Sequence, residues 1–336
     1  MPVAALKVVA PVSRPEEVAL LIEAGADEIY CGVLPSQWRS KYGDWDSLNR
    51  RQGIVANLPT VEGLQAIASI AGSVAALALN QRYTEEQIPQ VLEIAELWAG
   101  AGGRSVLVSD PGILLLLKKR HSGLLRHLSL LATCLNSATV QFFQGLGVSR
   151  VVLPRSLSLP EIREVSLNCP DIEFEVMALN EDCKFIDGLC AFYHGTSFPD
   201  GVSTTFGYER APDDGLPRSY THDLTYAGHA CELPFRTGRG GLLRQRHRDD
   251  LGRPRCAACA LGELALAGVG FLKVGGRGLP LALKLRAVRF LREVVSALSP
   301  CVSAVMGIDR TDFSGLYARV FGSPCDSSDC YYSRKP

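Results

Sequence analysis

Eight apolar runs of strand length, each followed by a run of helical period, predict a (β/α)8 TIM-barrel-like fold of the α/β class. Two further observations support it. The strands are apolar enough on both faces to be covered by helices, as parallel strands are. The 336 residues with 47% hydrophobic content suit one large domain with a substantial core. A doubly wound open sheet, built from the same units, is the alternative.

The elements follow in order. LKVVAPV (6–12) precedes the helix PEEVALLIEAG (15–25), which is closed by a glycine of C-cap type. DEIYCGV (27–33) leads into a long polar loop, 34–59, and then the helix TVEGLQAIASIAG (60–72). SVAALALN is followed by TEEQIPQVLEIAELWAG, RSVLVSD by PGILLLLKKR, and LLRHLSLLAT by NSATVQFFQGLG. SRVVLPR is followed by LPEIREVSLN, and the seventh strand is IEFEVMALN (172–180). A long cysteine-bearing insertion separates it from the short helix ALGELALAGV and the eighth strand, GFLKVGG (270–276). The helix LPLALKLRAVRFLREVVSAL (279–298) completes the barrel, predicted over 1–300 with a cluster-binding segment at 181–259. An extension, 301–336, is weakly patterned and expected to be mobile at its end.

Charge is balanced at 35 basic and 35 acidic residues, so no overall field draws the chain to nucleic acid or membrane. Runs such as GILLLLKK are too short to span a bilayer, and the N-terminus lacks the features of a signal peptide. A cytoplasmic location is the expectation. In that reducing compartment the eleven cysteines point to metal or redox use rather than to disulfides.

Cys31, Cys134, Cys169 and Cys301 lie in or beside apolar elements and read as small buried hydrophobes. Cys325 and Cys330 sit in the polar tail, and extra ligation is a minor reading for them. Cys183, Cys190, Cys231, Cys256 and Cys259 differ, because they fall in loop sequence between the seventh and eighth strands. Thiolates there suit an iron–sulfur cluster or zinc. A structural zinc site favours two close pairs, and of these five only Cys256 and Cys259 are so spaced; the seven-residue step from Cys183 to Cys190 is easier for a cubane. Four ligands are needed and five are offered, so one thiol is spare.

At the strand ends, where barrel enzymes place their chemistry, stand Asn80, Asp110, Arg155, Asn180 and Arg277. Asp110 before Pro111 reads first as a helix N-cap. Arg155 and Arg277 are candidates for clamping a carboxylate. His194, His222 and His229 flank loop cysteines, but no Ser–His–Asp spacing or HExxH motif appears. The basic run 244–255 lacks interleaved aromatics, so a nucleic-acid partner is ranked below an anionic small molecule.

LIEAGADEIYCGV, VSDPGIL, LNSATVQFFQGLGVSRVVLPRSLSLPEI, EVMALNEDCKFIDGLC and LALAGVGFLKVGGRG resemble, in this order, the collagenase-like U-32 peptidase family. The family pattern E-x-F-x-x-G-[small]-[aliphatic]-C-x4-G-x-C is met at Glu175, Cys183, Gly188 and Cys190. It is departed from at Met177, Asn180, Glu181 and Asp182. Ser156 and Gly275 stand where the family has glutamate, and Leu130–Leu131 where it has a Thr-Gln pair. The resemblance implies a [4Fe–4S] cluster held by four cysteines, with Cys183, Cys190 and Cys231 at family ligand positions and the fourth open between Cys256 and Cys259. It implies oxygen-independent hydroxylation of a ring or nucleic-acid base, with prephenate as oxygen donor. The expected roles are substrate binding by Arg155 and Arg277 and proton handling or positioning by Asp110. A peptidase, or a non-catalytic cluster-bearing subunit that supports a homologous partner, are the alternatives.

Overall fold

The computed structural model describes residues 5–42, 48–51, 56–180, 186–189, 235–236, 242–243, 254–302, 312–325 and 330–332. Its strands and helices alternate: β1 (Lys7–Pro11), α1 (Glu17–Glu23), β2 (Glu28–Cys31), α2 (Ser36–Tyr42), α3 (Val61–Ala71), β3 (Ala75–Leu79), α4 (Ile88–Gly100), β4 (Ser105–Val108) and α5 (Pro111–Arg120). Then come β5 (Leu125–Leu128), α6 (Ser137–Gly145), β6 (Val148–Val152), α7 (Leu159–Leu167) and β7 (Glu173–Leu179). A short antiparallel ribbon, β8 (Phe235–Arg236) with β9 (Leu242–Leu243), lies within the insertion. α8 (Leu261–Leu266), β10 (Val269–Val274), α9 (Leu281–Val302) and α10 (Ser314–Phe321) complete the chain.

The sheet is a closed parallel barrel in the order β1-β10-β7-β6-β5-β4-β3-β2. Lys7 of β1 pairs with Phe271 of β10 and Val9 with Glu28 of β2, so β1 is bonded on both edges and the open-sheet alternative is excluded. Helix starts follow the local chemistry. Thr60 caps α3 by accepting from the Gly63 amide at 3.2 Å, and Asn136 caps α6 through the Thr139 amide at 2.9 Å. The Glu161 carboxylate reaches back to the Ser158 amide at 2.7 Å to open α7.

The main core lies between strands and helices, with Ile29, Leu77, Val176 and Leu272 against Leu21, Leu64, Trp98 and Leu291. The barrel interior is different. Two small apolar groups, Val9/Tyr30/Ala76/Phe271 and Ala78/Leu107/Val152, bracket buried charge. Arg150 of β6 reaches across to Glu28 of β2 at 2.6 Å and lies 3.3 Å from the Phe271 ring centre. It also lies 3.4 Å from Glu175, whose other oxygen accepts from Lys273 at 2.6 Å. Every member of this lattice has an opposite charge beside it, which buried ions require.

Two sequence expectations change. The 34–59 loop carries the helix α2, anchored by fully buried Trp38 against Tyr42 and Tyr83. The fifth strand ends at Leu128, because Ser129 bends the chain into a 3-10 turn, its hydroxyl accepting from the Leu131 amide. Within the extension, 312–325 and 330–332 pack on the barrel, and the end expected to be mobile, 333–336, lies outside the described residues. Tyr317 and Phe321, four apart on α10, pack on Phe290 of α9. Cys330–Tyr332 then seats on the end of β7: buried Tyr331 donates its hydroxyl to the Asn180 carbonyl, and its amide bonds to the Cys256 carbonyl at 2.9 Å.

A candidate active site at the barrel mouth

A cleft of about 770 Å³, part of it open to solvent, lies at the C-terminal ends of the strands. Part of its lining is apolar: Ala78, Leu107, Leu130, Leu131, Val152 and Met177. Five lining residues are cationic, Arg50, Arg51, Arg155, Lys273 and Arg277, and among the described residues one, Asp187, is a carboxylate. Tyr30, Asn80 and Ser129 supply neutral polar groups. Such a mixed lining suits a molecule that carries both an apolar ring and negative charge.

Three of the cations, Arg277, Lys273 and Arg155, are held in place by contacts of their side chains. Arg277, buried just past β10, donates to Asn49 Oδ1 at 2.5 Å and Asn57 Oδ1 at 3.4 Å. Its approach to β2 is possible because residue 32 is glycine: a Cβ there would fall 1.8 Å from Arg277 Nη1. Its carbonyl accepts from Ser13 Oγ at 2.9 Å, and Ser13 is tied to the buried pair Lys284–Glu17, 2.8 Å apart. Burial holds the Lys284 amine below its usual range, against the opposing pull of Glu17. Lys273 sits 3.9 Å from the Tyr30 ring centre and is bonded to Glu175 beneath the cleft.

Arg155 follows β6 and grips Asp187 with Nε at 3.1 Å and Nη2 at 2.5 Å, while its amide donates to the same carboxylate at 3.0 Å. The residues around Asp187 are thereby fixed over the mouth. Thr133 Oγ1 donates to the Asp187 carbonyl at 2.7 Å. Gly188 has φ +87°, and a Cβ on it would lie 2.3 Å from the Leu131 carbonyl oxygen. Only glycine fits there, which gives that position of the loop its physical reason.

Asp110 takes the cap role. Its Oδ1 accepts from the Gly112 and Ile113 amides at 2.8 and 3.1 Å, its Oδ2 from the Tyr83 amide at 3.3 Å, and it does not line the cleft. Asn80 joins the rim, accepting from the Arg50 amide and donating to Ser129 Oγ, each at 3.1 Å.

Of the five loop cysteines, Cys183, Cys190 and Cys231 lie outside the described residues, as do His194, His222 and His229. Cys256 and Cys259 are described, and both are unbridged. The segment carrying Cys256 pairs with the end of β7 as an antiparallel bridge to Leu179. The Asn180 amide donates to the Arg255 carbonyl at 3.0 Å and the Ala257 amide to the Ala178 carbonyl at 2.9 Å. The insertion therefore leaves and rejoins the barrel at one point on the rim. Among the described residues, no three His, Cys, Asp or Glu side chains converge to hold a metal ion as placed. Cys31, Cys134 and Cys169 pack in the aliphatic core, as expected.

Of the strand-end candidates, Asn80, Arg155 and Arg277 line the cleft, and so do Lys273, Asp187, Arg50 and Arg51, which the sequence did not single out. Lys273 was visible as a charge at an alternate position of an otherwise apolar strand, GFLKVGG. Nothing local marked the other three, which depend on two loops folding over the mouth.

The sequence pattern described as "Peptidase family U32" matches residues 13–202. Among curated proteins, the "tRNA hydroxylation protein P" of Escherichia coli is 30% identical over 166 residues, 49% of this chain and 34% of that protein. Its namesake in Helicobacter pylori is 27% identical over 249 residues, 68% of this chain and 57% of that protein. The chain thus spans only part of the length of these relatives. A U32 peptidase of known structure, 13% identical, aligns with 52% of this chain and 68% of its own at a TM-score of 0.38, a likeness too slight to bear on the site.

Proposed function

Since the chain belongs to peptidase family U32, we propose that it is a hydroxylase-type member, an iron–sulfur enzyme acting on a ring-bearing substrate at the barrel mouth. The single observation that carries this reading is the cleft, whose described lining combines six apolar side chains with five cationic ones and one carboxylate. Two relatives named for tRNA hydroxylation agree with a hydroxylation role. They also move a nucleic-acid base above the place that charge balance alone assigned to it.

The group proposed for this chemistry is a [4Fe–4S] cluster. Its thiolates would come from Cys183, Cys190 and Cys231, with Cys256 or Cys259 as the fourth. The donor chemistry suits it: Cys256 and Cys259 are unbridged thiols beside the point where the insertion rejoins β7. When bound, such a cluster supplies one-electron transfer. The chain's own residues do the rest. Arg277 and Arg155, each pre-set by its own hydrogen bonds, receive carboxylate or phosphate oxygens. A prephenate-like dicarboxylate is the proposed co-substrate. Leu130, Leu131 and Met177 cover its ring and exclude water. Asp110, with both oxygens on backbone amides, is given no proton step.

Peptide hydrolysis fits less well, because no histidine or cysteine is among the described residues that line the cleft. Anaerobic purification with iron and sulfide counts tests the reading, with about four irons per chain expected. Arg277→Leu should weaken prephenate binding by roughly tenfold or more, the loss of one charged hydrogen-bond partner. Colourless iron-free protein that cleaves gelatin peptides would overturn the assignment.

A further inference from the structure

A second depression lies on the opposite face of the barrel, at the N-terminal ends of β4 and β5. It encloses about 730 Å³, part of it open to solvent, between the loop after α4 and the loop after α5. The Leu125 amide stitches the two loops together by donating to the Arg104 carbonyl at 2.8 Å. Arg104 and His121 line the depression, and no carboxylate is among the described residues that do. Lys119 and Arg120, exposed in the last turn of α5, immediately precede His121. Gly103 and Gly123 leave part of the lining bare. Packing explains Gly103, where a Cβ would lie 2.2 Å from the Trp98 ring. It does not explain Gly123, where a Cβ would meet nothing within 4 Å.

The surrounding sequence is one-signed. Residues 97–160 hold seven basic side chains and one acidic, Asp110, in a chain of net charge zero. Asp110 caps α5 at the far end of that helix. Two of the cations are occupied: Lys118 donates to the Gly145 carbonyl at 2.8 Å and Arg126 to the Gly147 carbonyl at 2.9 Å. The side chains of Arg104, Lys119, Arg120 and His121 have no partner among the described residues. The helix end accounts for Lys119 and Arg120, whose charge complements the α5 dipole. It does not account for Arg104, which arrives from another loop.

We propose that this depression is a phosphate-binding site, in which Arg104 and His121 hold the phosphate of an ester and Lys119 and Arg120 attract it from the rim. A guanidinium offers paired donors to phosphate oxygens, and bare glycine lets an anion approach the backbone closely. The site shares no residue with the cleft and rests on neither the cluster nor the hydroxylation reading.

The test titrates the full chain at low salt with inorganic phosphate, adenosine monophosphate and a short single-stranded RNA. Phosphate should slow amide exchange at 102–104 and 121–124. Arg104→Ala should weaken phosphate binding by about tenfold, the loss of one charged hydrogen-bond partner. Gly123→Glu, a side chain entering open space, should abolish binding, and Gly123→Lys should bind more tightly than Gly123→Gln. RNA binding that weakens in the same variants, with a shallower salt dependence, would identify a nucleic-acid backbone as the source. A response to phosphate and the nucleotide alone would identify a small ester. No phosphate binding by the wild type, or binding unchanged in Arg104→Ala and Gly123→Glu, would overturn the proposal. An iron-free wild type that still binds phosphate here would sink the cluster reading alone.

Discussion

Glu175 shows how much one buried charge depends on its neighbours. Burial alone would raise its carboxyl, yet the charges of Lys273 and then Arg150 hold it below the usual carboxylate range. Stability from this group is therefore present at neutral pH and lost as pH falls through the depressed value. Lys273→Met leaves Glu175 half-compensated in the barrel and should cost about 3–5 kcal/mol in urea unfolding. His127 lies in the same lattice. Burial, aided by Arg150 and Lys273, drops its imidazole from 6.5 to about 3. The unfolded chain takes up a proton below pH 6.5 that the folded chain refuses until about pH 3, so stability falls as pH falls through that window. His127→Gln should flatten the loss between pH 6.5 and 5, by up to about 1.4 kcal/mol per pH unit, measured by denaturant titration at each pH.

Among the elements, the loop end at 186–189 ties the insertion to the barrel rim. Its hold depends on Gly188, whose positive φ lets the chain pass against the Leu131 carbonyl. Gly188→Ala should release this segment: the melting midpoint should shift by only a few degrees, while proteolysis between Asn180 and Leu189 should rise markedly. An equal shift in global stability, with no new cleavage, would mean that the contact belongs to the core. The same loop shows where sequence reading reached its limit. Glycine at 188 was legible as part of a pattern, but its partner Leu131 lies on another loop. The pairing of Cys256 with Cys330 was hidden for the same reason, since only a bridge between distant segments makes neighbours of them.

At the scale of the whole molecule, the barrel was legible because its outer strand faces and helix stripes obey two different periods. Ile29, Val176 and Leu272 show the first; Leu64 and Ile67 show the second. The interior was not legible, because Glu28, Glu175, Arg150 and Lys273 occupy positions that read as solvent-facing in an isolated strand. They become a buried lattice only when the ring closes and brings β6 opposite β2. α10 escaped notice because its 8 residues, only about two turns, are too short to set a clear period.

The pairing of Lys7 with Phe271 has a consequence for synthesis. The first strand leaves the ribosome early, and its closing neighbour is made only after the insertion has been translated. Until then one edge of β1 shows bare amides and carbonyls, the kind of surface to which stray chains add. Nascent chains stalled before Val269 should therefore recruit chaperones, and those stalled well beyond Val274 should not.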